Sequence, residues 1–339
     1  MKILIVGFKY NHHSNHSGYD KFIEYFDLKN DIVFYNLYKY LLFKNSNNYF
    51  LNLLHRLNHR FLLYILKYYI ENLDNIDLIH FIYPEDTLKK IKIKPKSKIK
   101  ILATFHQPAI WFEQLSNNEI DNLSIVKYSI ILGKTQVNTL KNILKINKFY
   151  FIPHGVDNHF FKNLSHKRSK NRILVVGSWL RDLDLLYKII NFHNQFSKSI
   201  FFDIVLGANS NRFLKNMKNC VLHTNINNIE LLNLYNSATL VLFVLNDSVA
   251  NNALLESIST ANAIIINEVG SVSDYINDDS VLLINKDFNT YNDSILKLLN
   301  DSILLESFRK KAYQLSNNYT WDTISKNIYN TYYSILNDI

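Results

Sequence analysis

The fold is indicated most clearly by residues 240–266, LVLFVLNDSVANNALLESISTANAIII. An apolar run at Leu240–Leu245 predicts a buried strand, and a second apolar run at Ala263–Asn267 predicts another. A polar turn and a short helix at Asn251–Ser259, which ends in small residues, separate the two strands. Strand, helix and strand in this order predict a parallel βαβ unit.

A single carboxylate, Glu256, lies in this helix on an otherwise apolar line. The first amides of a helix have no intrahelical partner, so the helix start at Asn251 and Asn252 is a site for an anion. An acid one turn behind an anion site fits a ligand with both phosphate and hydroxyl groups, such as a sugar nucleotide. The alternative is a surface helix whose glutamate is solvated.

The same alternation of strands and helices continues along the chain. Strands are predicted at Lys2–Phe8, Ile32–Asn36, Leu78–Ile82, Ile99–Phe105, Tyr128–Leu132, Tyr150–Ile152, Arg172–Val176, Phe202–Leu206, Val221–His223, Leu240–Leu245, Ala263–Asn267 and Val281–Ile284. Helices are predicted at Asp20–Phe26, Tyr49–Ile70, Thr135–Leu144, Asp182–Gln195, Ile229–Ser237, Asn251–Ser259, Ser271–Ile276, Ser302–Leu315 and Trp321–Leu336. Near-continuous apolar strands separated by helices predict an α/β fold of two Rossmann-like, doubly wound domains.

Two such domains are expected to face a cleft, with the basic stretch Lys162–Asn171 as their linker. Ligands of open α/β sheets bind beyond the carboxyl ends of the strands. The loops of interest therefore follow Gly7, Phe105, Val176, Leu206 and Leu245.

Length and composition narrow the class of protein. A chain of 339 residues fits two domains of about 150 residues each. Cys220 is the sole cysteine, which excludes a disulfide framework and a cysteine metal site. No apolar run reaches the length of about 18 residues that a transmembrane helix needs. Met1–Gly7 is interpreted as a first strand, not a signal peptide, so we expect a cytoplasmic location.

The net charge of +9 belongs to the first half of the chain. Residues 1–150 contain 21 Lys and Arg against 12 Asp and Glu, whereas residues 151–339 contain 17 of each. This asymmetry indicates an anionic partner. The basic, aromatic segment Phe50–Tyr69 is either a helix on an anionic bilayer surface or a buried domain helix. Lys89–Lys100 contains seven lysines and is either a solvated loop or a site for anionic lipid or an acidic glycan.

The loop after the first strand contains His12, His13 and His16. Their spacing does not match a ligand pattern on a helix or strand, so metal binding is the weaker interpretation. Backbone amides at Ser17 and Gly18 are better placed to approach a phosphate, because glycine has no Cβ in the way. The loop lacks a GxGxxG fingerprint, so a dinucleotide cofactor is not predicted.

Two further side chains follow strands. His106 stands before Pro108 at the end of a strand, where it could bond a substrate hydroxyl, act as an acid or base, or only cap a loop. Arg181 lies beside a helix start and suits a diphosphate, since guanidinium and helix amides stabilise the same anion. A simple surface turn with Asp182 is the alternative.

Taken together, these segments resemble the family 4 glycosyltransferases of GT-B architecture. The segments similar to family motifs are the hinge strand Ile152–Asp157, the helix and strand at Asn252–Ile258 and Ala263–Ile265, the turn Val269–Ile276, and the closing Tyr319–Trp321 with Ile328–Tyr329. The resemblance implies a domain over 1–160 for the acceptor, a domain over 161–318 for the nucleotide-sugar donor, and a closing helix at 319–339 that packs on the first domain.

The resemblance also implies site residues. Glu256 would bond the ribose, Arg181 would neutralise the diphosphate, and His106 would approach the transferred sugar. The residues implied in donor binding are Gly18, Ser178, Arg181, Ser248, Asn251, Asn252, Ala253 and Glu256. Two positions depart from the family pattern: Ser248 stands where the first of two acids is usual, with Asp247 one residue away, and Ser178 stands where an arginine is usual.

The activity implied is transfer of a sugar from a UDP- or GDP-linked donor to a glycan or lipid-linked acceptor, as in polysaccharide biosynthesis. The resemblance implies retention of anomeric configuration and no required cofactor or metal. The leaving phosphate would help to deprotonate the acceptor, so no side chain must be a general base and His106 would position the sugar. A cytoplasmic enzyme, with peripheral contact to the inner face of the membrane through the basic domain, is expected.

Two other functions remain open. Ser248 and Ser178 favour a catalytically weak GT-B-like binding protein or a subunit of a glycosylation complex. The basic first half suggests nucleic-acid binding, but the sequence contains no recognisable nucleic-acid module.

Overall fold

The computed structural model describes residues 1–7, 16–26, 32–36, 49–165, 167–197, 199–206, 217–277 and 279–337. The chain divides into two compact units. Unit 1 comprises Met1–Pro153 and Trp321–Ile339, and unit 2 comprises His154–Thr320.

In the described residues of unit 1, six parallel strands form one sheet. They are β1 (Ile3–Gly7), β2 (Ile32–Asn36), β3 (Leu78–Phe81), β4 (Lys100–Phe105), β5 (Tyr128–Ile131) and β6 (Lys148–Phe151), in the order β2-β1-β3-β4-β5-β6. The helices are α1 (Tyr49–Glu71), α2 (Ala109–Phe112), α3 (Asn117–Leu123), α4 (Gln136–Leu144) and α10 (Trp321–Asn337), with 3₁₀ helices at Tyr19–Tyr25 and Leu88–Lys90.

The C-terminal helix α10 completes the core of unit 1. Its Ser325 hydroxyl donates to the Phe22 carbonyl at 2.9 Å, and its Trp321 ring lies edge-on to the Tyr19 ring, with centroids 5.9 Å apart. Trp321 is buried, so the end of the chain is an integral part of this unit.

In unit 2, the described strands form a second parallel sheet. They are β7 (Arg172–Val176), β8 (Phe201–Val205), β9 (Cys220–His223), β10 (Leu240–Phe243), β11 (Ala263–Asn267) and β12 (Leu282–Ile284), in the order β12-β11-β10-β7-β8-β9. The helices are α5 (Leu183–Phe196), α6 (Asn228–Ser237), α7 (Asn252–Ser259), α8 (Phe288–Asn300) and α9 (Ser302–Leu315), with 3₁₀ helices at Val272–Asp274 and Ser316–Tyr319.

The segment 240–266 forms the predicted βαβ unit at the centre of this sheet. β10 and β11 pair in parallel from Leu240 with Ala263 to Phe243 with Ile266. Successive β10 residues face opposite sides of the sheet: Leu240 packs in one apolar cluster and Val241 in the other. Both faces are therefore covered, and the prediction of two Rossmann-like, doubly wound sheets is confirmed.

The structure corrects the predicted linker. Lys162–Asn171 lies inside unit 2, where the Arg168 guanidinium donates to the carbonyls of Thr260 at 2.7 Å and Ala261 at 2.9 Å. The chain passes between the units at Pro153 and His154, within the segment that resembles a hinge strand. The basic composition of this stretch does not mark a linker, because the partly buried guanidinium of Arg168 satisfies several carbonyls at once.

Several element boundaries also differ. The helix predicted over Ser271–Ile276 is only the 3₁₀ turn Val272–Asp274, while α2, α3 and α8 were not predicted. Among the described residues, no helix has both the length and the hydropathy required to cross a membrane.

Candidate functional site

In unit 2, the loop after β7 lies against the end of β10. Arg181 and Leu245 form an isolated antiparallel bridge, and beside it the Asn246 amide donates to the Leu180 carbonyl at 2.9 Å. β7 and β10 are neighbouring strands of the sheet. The loop therefore stands at the carboxyl edge, where doubly wound sheets bind ligands.

The Arg181 guanidinium is held by uncharged acceptors. Nη2 donates to the Val176 carbonyl at 3.1 Å and to Asn251 Oδ1 at 3.3 Å, and the group lies 5.3 Å from the centroid of the Phe243 ring. Nε is buried without a hydrogen-bond partner, and in the described part of the chain no carboxylate pairs with Arg181. Burial lowers the pKa of Arg181 to about 10, so the group is still cationic at neutral pH. A partly buried cation without a counter-ion favours an anionic ligand.

The start of α7 adjoins this cation through Asn251. The Asn251 side chain caps the helix by accepting from the Leu254 amide at 3.3 Å, while its Nδ2 is buried without a partner. The amides of Asn252 and Ala253 come first in the helix and have no intrahelical acceptor. The structure thus brings Arg181, Asn251, Asn252 and Ala253 together as a group of donors.

Glu256 lies one turn further along α7 and is 8% exposed. The Tyr235 hydroxyl of α6 donates to Glu256 Oε2 at 2.8 Å. Burial raises the pKa of Glu256 to about 7, although the hydrogen bond from Tyr235 opposes the rise. The alternative of a solvated surface glutamate is therefore wrong.

Tyr235 connects the acid to the cation electrostatically. Its pKa is raised well above the usual value by burial and by Glu256, while the charge of Arg181 lowers it. Tyr235 was missed in the sequence because, within the helix at 228–237, a tyrosine is indistinguishable from an ordinary core residue.

Ser248 occupies a tightly built loop. It is buried, and Asp247 Oδ1 accepts from its amide at 2.7 Å. Gly270 has a φ of 56°, and a Cβ there would lie 2.3 Å from the Ser248 carbonyl oxygen and 2.4 Å from Asp247 Oδ1. Only glycine fits against this loop, and the Asp247 carboxylate is engaged with the neighbouring amide.

Gly177 and Ser178 shape the turn that leads to Arg181. Gly177 has a φ of 87°, and a Cβ there would lie 3.4 Å from Arg181 Nη2. The Ser178 carbonyl accepts from the Arg181 amide at 3.4 Å. Ser178 supports the turn through its backbone, and the donor contact expected of it stays a prediction.

The other two predicted residues, Gly18 and His106, lie in unit 1. Gly18, with a φ of 107°, precedes the 3₁₀ helix that begins at Tyr19. The Tyr19 ring meets the His106 ring edge-on, with centroids 5.2 Å apart. His106 Nε2 lies 2.7 Å from the Ile82 carbonyl; a carbonyl only accepts, so Nε2 carries the proton. Gly18 and His106 are therefore close within unit 1.

Glu85 is a buried acid of unit 1 that the sequence analysis missed. Its Oε1 accepts from the His106 amide at 2.7 Å and from the Gln107 amide at 3.3 Å. Burial raises the pKa of Glu85 to about 7, against the effect of these two amides. Glu85 follows β3, whose carboxyl end lies at the same sheet edge as that of β4, so its position after a strand is the sequence signal that points to it.

We expect Glu85→Ala to destabilise the chain by about 1–3 kcal/mol, because two amides of the His106 turn lose their acceptor. Glu85→Gln keeps an oxygen at that position and should retain most of the stability. The free energy of unfolding in urea distinguishes the two variants. Equal losses in both would mean that the contact to the His106 turn is unimportant.

A metal site is not formed in the described residues. Among them, no group of three or more His, Cys, Asp or Glu is arranged to hold a metal ion. Of the histidines in the first loop, His12 and His13 lie outside the described residues.

This chain has the same fold as several solved structures, although its sequence is dissimilar to theirs. No protein-family model and no curated protein matches the sequence. The structure is similar to that of HepE from Anabaena in complex with UDP, with a TM-score of 0.73, 12% identity, and coverage of 98% of this chain and 100% of that one.

Two further structures show the same likeness. A glycosyltransferase from Rickettsia africae has a TM-score of 0.65 and 15% identity and is covered, like this chain, over 100% of its length. The apo form of the lipopolysaccharide outer core galactosyltransferase WaaB has a TM-score of 0.66 and 12% identity, with coverage of 99% of this chain and 100% of that one. At these identities the likeness concerns architecture, and by architecture this chain is a GT-B fold protein.

Proposed function

We propose that this chain is a glycosyltransferase that moves a sugar from a nucleotide-sugar donor to a glycan or glycolipid acceptor. The observation that best supports this is the arrangement in unit 2: an unpaired cation, Arg181, shares Asn251 with the start of α7, and a buried acid, Glu256, lies one turn behind. A nucleoside diphosphate contains a diphosphate anion, which suits Arg181 and the start of α7, and ribose hydroxyls, which suit the Glu256 carboxylate. The structures of HepE contain UDP or UDP-glucose, which agrees with such a donor.

The residues suggest how the transfer would proceed. As the bond between sugar and diphosphate breaks, negative charge grows on the leaving phosphate, and Arg181 with the amides of Asn252 and Ala253 would stabilise it. Because these hydrogen-bond donors stabilise the leaving phosphate, we propose that the reaction needs no metal ion. We assign the acceptor to unit 1, where His106 would position the transferred sugar, and we expect retention of configuration.

The test is release of the nucleotide, UDP, GDP or CMP, from sugars linked to each of them, with and without a chelator. We expect release from a UDP- or GDP-linked sugar that the chelator leaves unchanged. A CMP-linked sugar, with a single phosphate, is the control substrate and should not react, because the hydrogen-bond donors of the site suit a diphosphate. If none of these donors is bound or cleaved, the proposed function is wrong.

A second candidate is a GT-B-like protein that binds a nucleotide sugar without turning it over, as a recognition protein or a subunit of a complex. Ser248 supports it, because the usual acid is missing there and the Asp247 carboxylate is held by the Ser248 amide. Saturable donor binding without release of diphosphate, in the presence of varied acceptors, would favour this candidate.

A further inference from the structure

Helix α1 of unit 1 exposes a continuous stripe of large apolar and aromatic side chains. The stripe consists of five residues with exposed fractions between 41% and 73%: Leu53, Leu57, Phe61, Tyr64 and Tyr68. Their spacing of three and four residues places them on one face of the helix. The opposite face is buried in unit 1 through Leu62, Leu63, Leu66 and Ile70, so α1 has apolar side chains on both its buried face and its outer stripe.

Positive charge borders this stripe. Arg56, Arg60 and Lys67 recur at positions that lie along one edge of the stripe at 3.6 residues per turn. Lys67 is 3.9 Å from Glu71, which is the sole acid of the helix. In the part of the chain that the structure describes, no carboxylate pairs with Arg56 or Arg60, and both are exposed.

The lysine-rich segment at 89–100 presents no exposed apolar stripe beside its charge, because Ile91, Ile93 and Ile99 are buried. Its lysines largely bond within unit 1: Lys89 to Glu119, Lys90 to Asp86, Lys92 to Asp121, Lys96 to Asp74, and Lys100 to the Ile335 carbonyl. Neighbouring carboxylates therefore offset much of this segment's charge. The stripe of α1, with its bordering arginines, is the stronger site for an anionic partner.

We propose that the stripe of α1 docks on an anionic membrane surface, with its apolar and aromatic side chains in the headgroup region and Arg56 and Arg60 beside lipid phosphates. An interfacial helix has this combination of a wide apolar face, basic residues and aromatic rings. A second copy of the chain is a poorer occupant, because two such helices would bring like charges together. Docking of this kind would locate the chain peripherally on the membrane.

The test is sedimentation of the full chain with vesicles, without any nucleotide sugar, so that its outcome is independent of the proposed function. We expect binding to phosphatidylcholine vesicles that contain phosphatidylglycerol, weaker binding at high salt, and little binding to pure phosphatidylcholine. Leu57→Ser with Phe61→Ser and Tyr64→Ser should weaken partitioning at least about 10-fold. Arg56→Gln with Arg60→Gln should weaken it about 25-fold, at about fivefold for each charge near the surface.

The matched control is Phe196→Ser with Ile303→Ser in unit 2, which removes side chains that are 72% and 84% exposed. It should bind like the wild type, and thermal unfolding should show that all variants are folded. The proposal fails if wild type ignores anionic vesicles, if the control loses as much binding, or if pure phosphatidylcholine binds equally well. It also fails if the triple variant instead abolishes a dimer, or if RNA is bound and anionic vesicles are not.

Discussion

Replacing Arg181 by glutamine should weaken binding of UDP or GDP by roughly 30- to 1,000-fold, equivalent to about 2–4 kcal/mol. The guanidinium is already partly buried and has no carboxylate partner among the described residues. Its buried Nε has no acceptor, so an anion gains a charge-assisted bond without displacing an existing ion pair. Isothermal titration with the nucleoside diphosphates measures the loss.

Two variants sharpen this prediction. Arg181→Lys keeps the charge but loses the planar fork, so it should fall between glutamine and wild type. Lys310→Gln, an exposed position on α9, makes the same change of charge and should bind nucleotide normally.

Thermal stability, measured with and without UDP, tests Arg181→Gln independently. Because an unpaired, partly buried cation is costly, the variant without ligand should be about as stable as wild type. The increase in Tm that UDP gives to wild type should be nearly lost in the variant. A nucleotide affinity equal to that of wild type would remove Arg181 from the site.

Glu256 should make donor binding depend on pH around neutrality. Its folded-state pKa is about 7, and only the carboxylate accepts strongly from ribose hydroxyls. Affinity for UDP-glucose, a diphosphate diester that does not titrate in this range, should therefore rise as pH increases from 6 to 8. Glu256→Gln should bind about 10- to 100-fold more weakly than wild type at pH 8 and show little pH dependence.

The same pKa predicts a stability effect of opposite sign. Between about pH 4.5 and 7, folded Glu256 holds a proton that the unfolded chain has lost, so stability falls as pH rises through this window. Glu256→Gln should remove that part of the slope. Asp293→Asn, which alters an exposed acid of α8, should leave both pH profiles unchanged. A wild-type affinity that is flat from pH 6 to 8 would contradict the role given to Glu256.

Strand ends were the most informative part of the sequence. Arg181 and Asn251 are far apart in the chain, yet both follow strands of one parallel sheet, and that topology alone predicts that they meet. The apolar runs of β10 and β11 were equally clear, because buried parallel strands are apolar throughout.

What the sequence did not predict depends on tertiary contacts. Tyr235 has no local signal for its bond to Glu256, because its partner lies in another helix. The basic composition around Arg168 resembles a linker, although the guanidinium is enclosed by carbonyls of unit 2. The lysines at 89–100 resemble a free basic patch because their acids come from elsewhere in the fold, as Asp121 does for Lys92.

A crystal structure of the wild type with UDP would show whether unit 2 holds the donor nucleotide at Arg181, α7 and Glu256. We predict diphosphate oxygens within hydrogen-bond distance of the Arg181 guanidinium and of the amides at Asn252 and Ala253, with a ribose hydroxyl on the Glu256 carboxylate. UDP bound elsewhere, with Arg181 still on Val176 and Asn251 and with Glu256 still bonded to Tyr235 alone, would rule out this donor site.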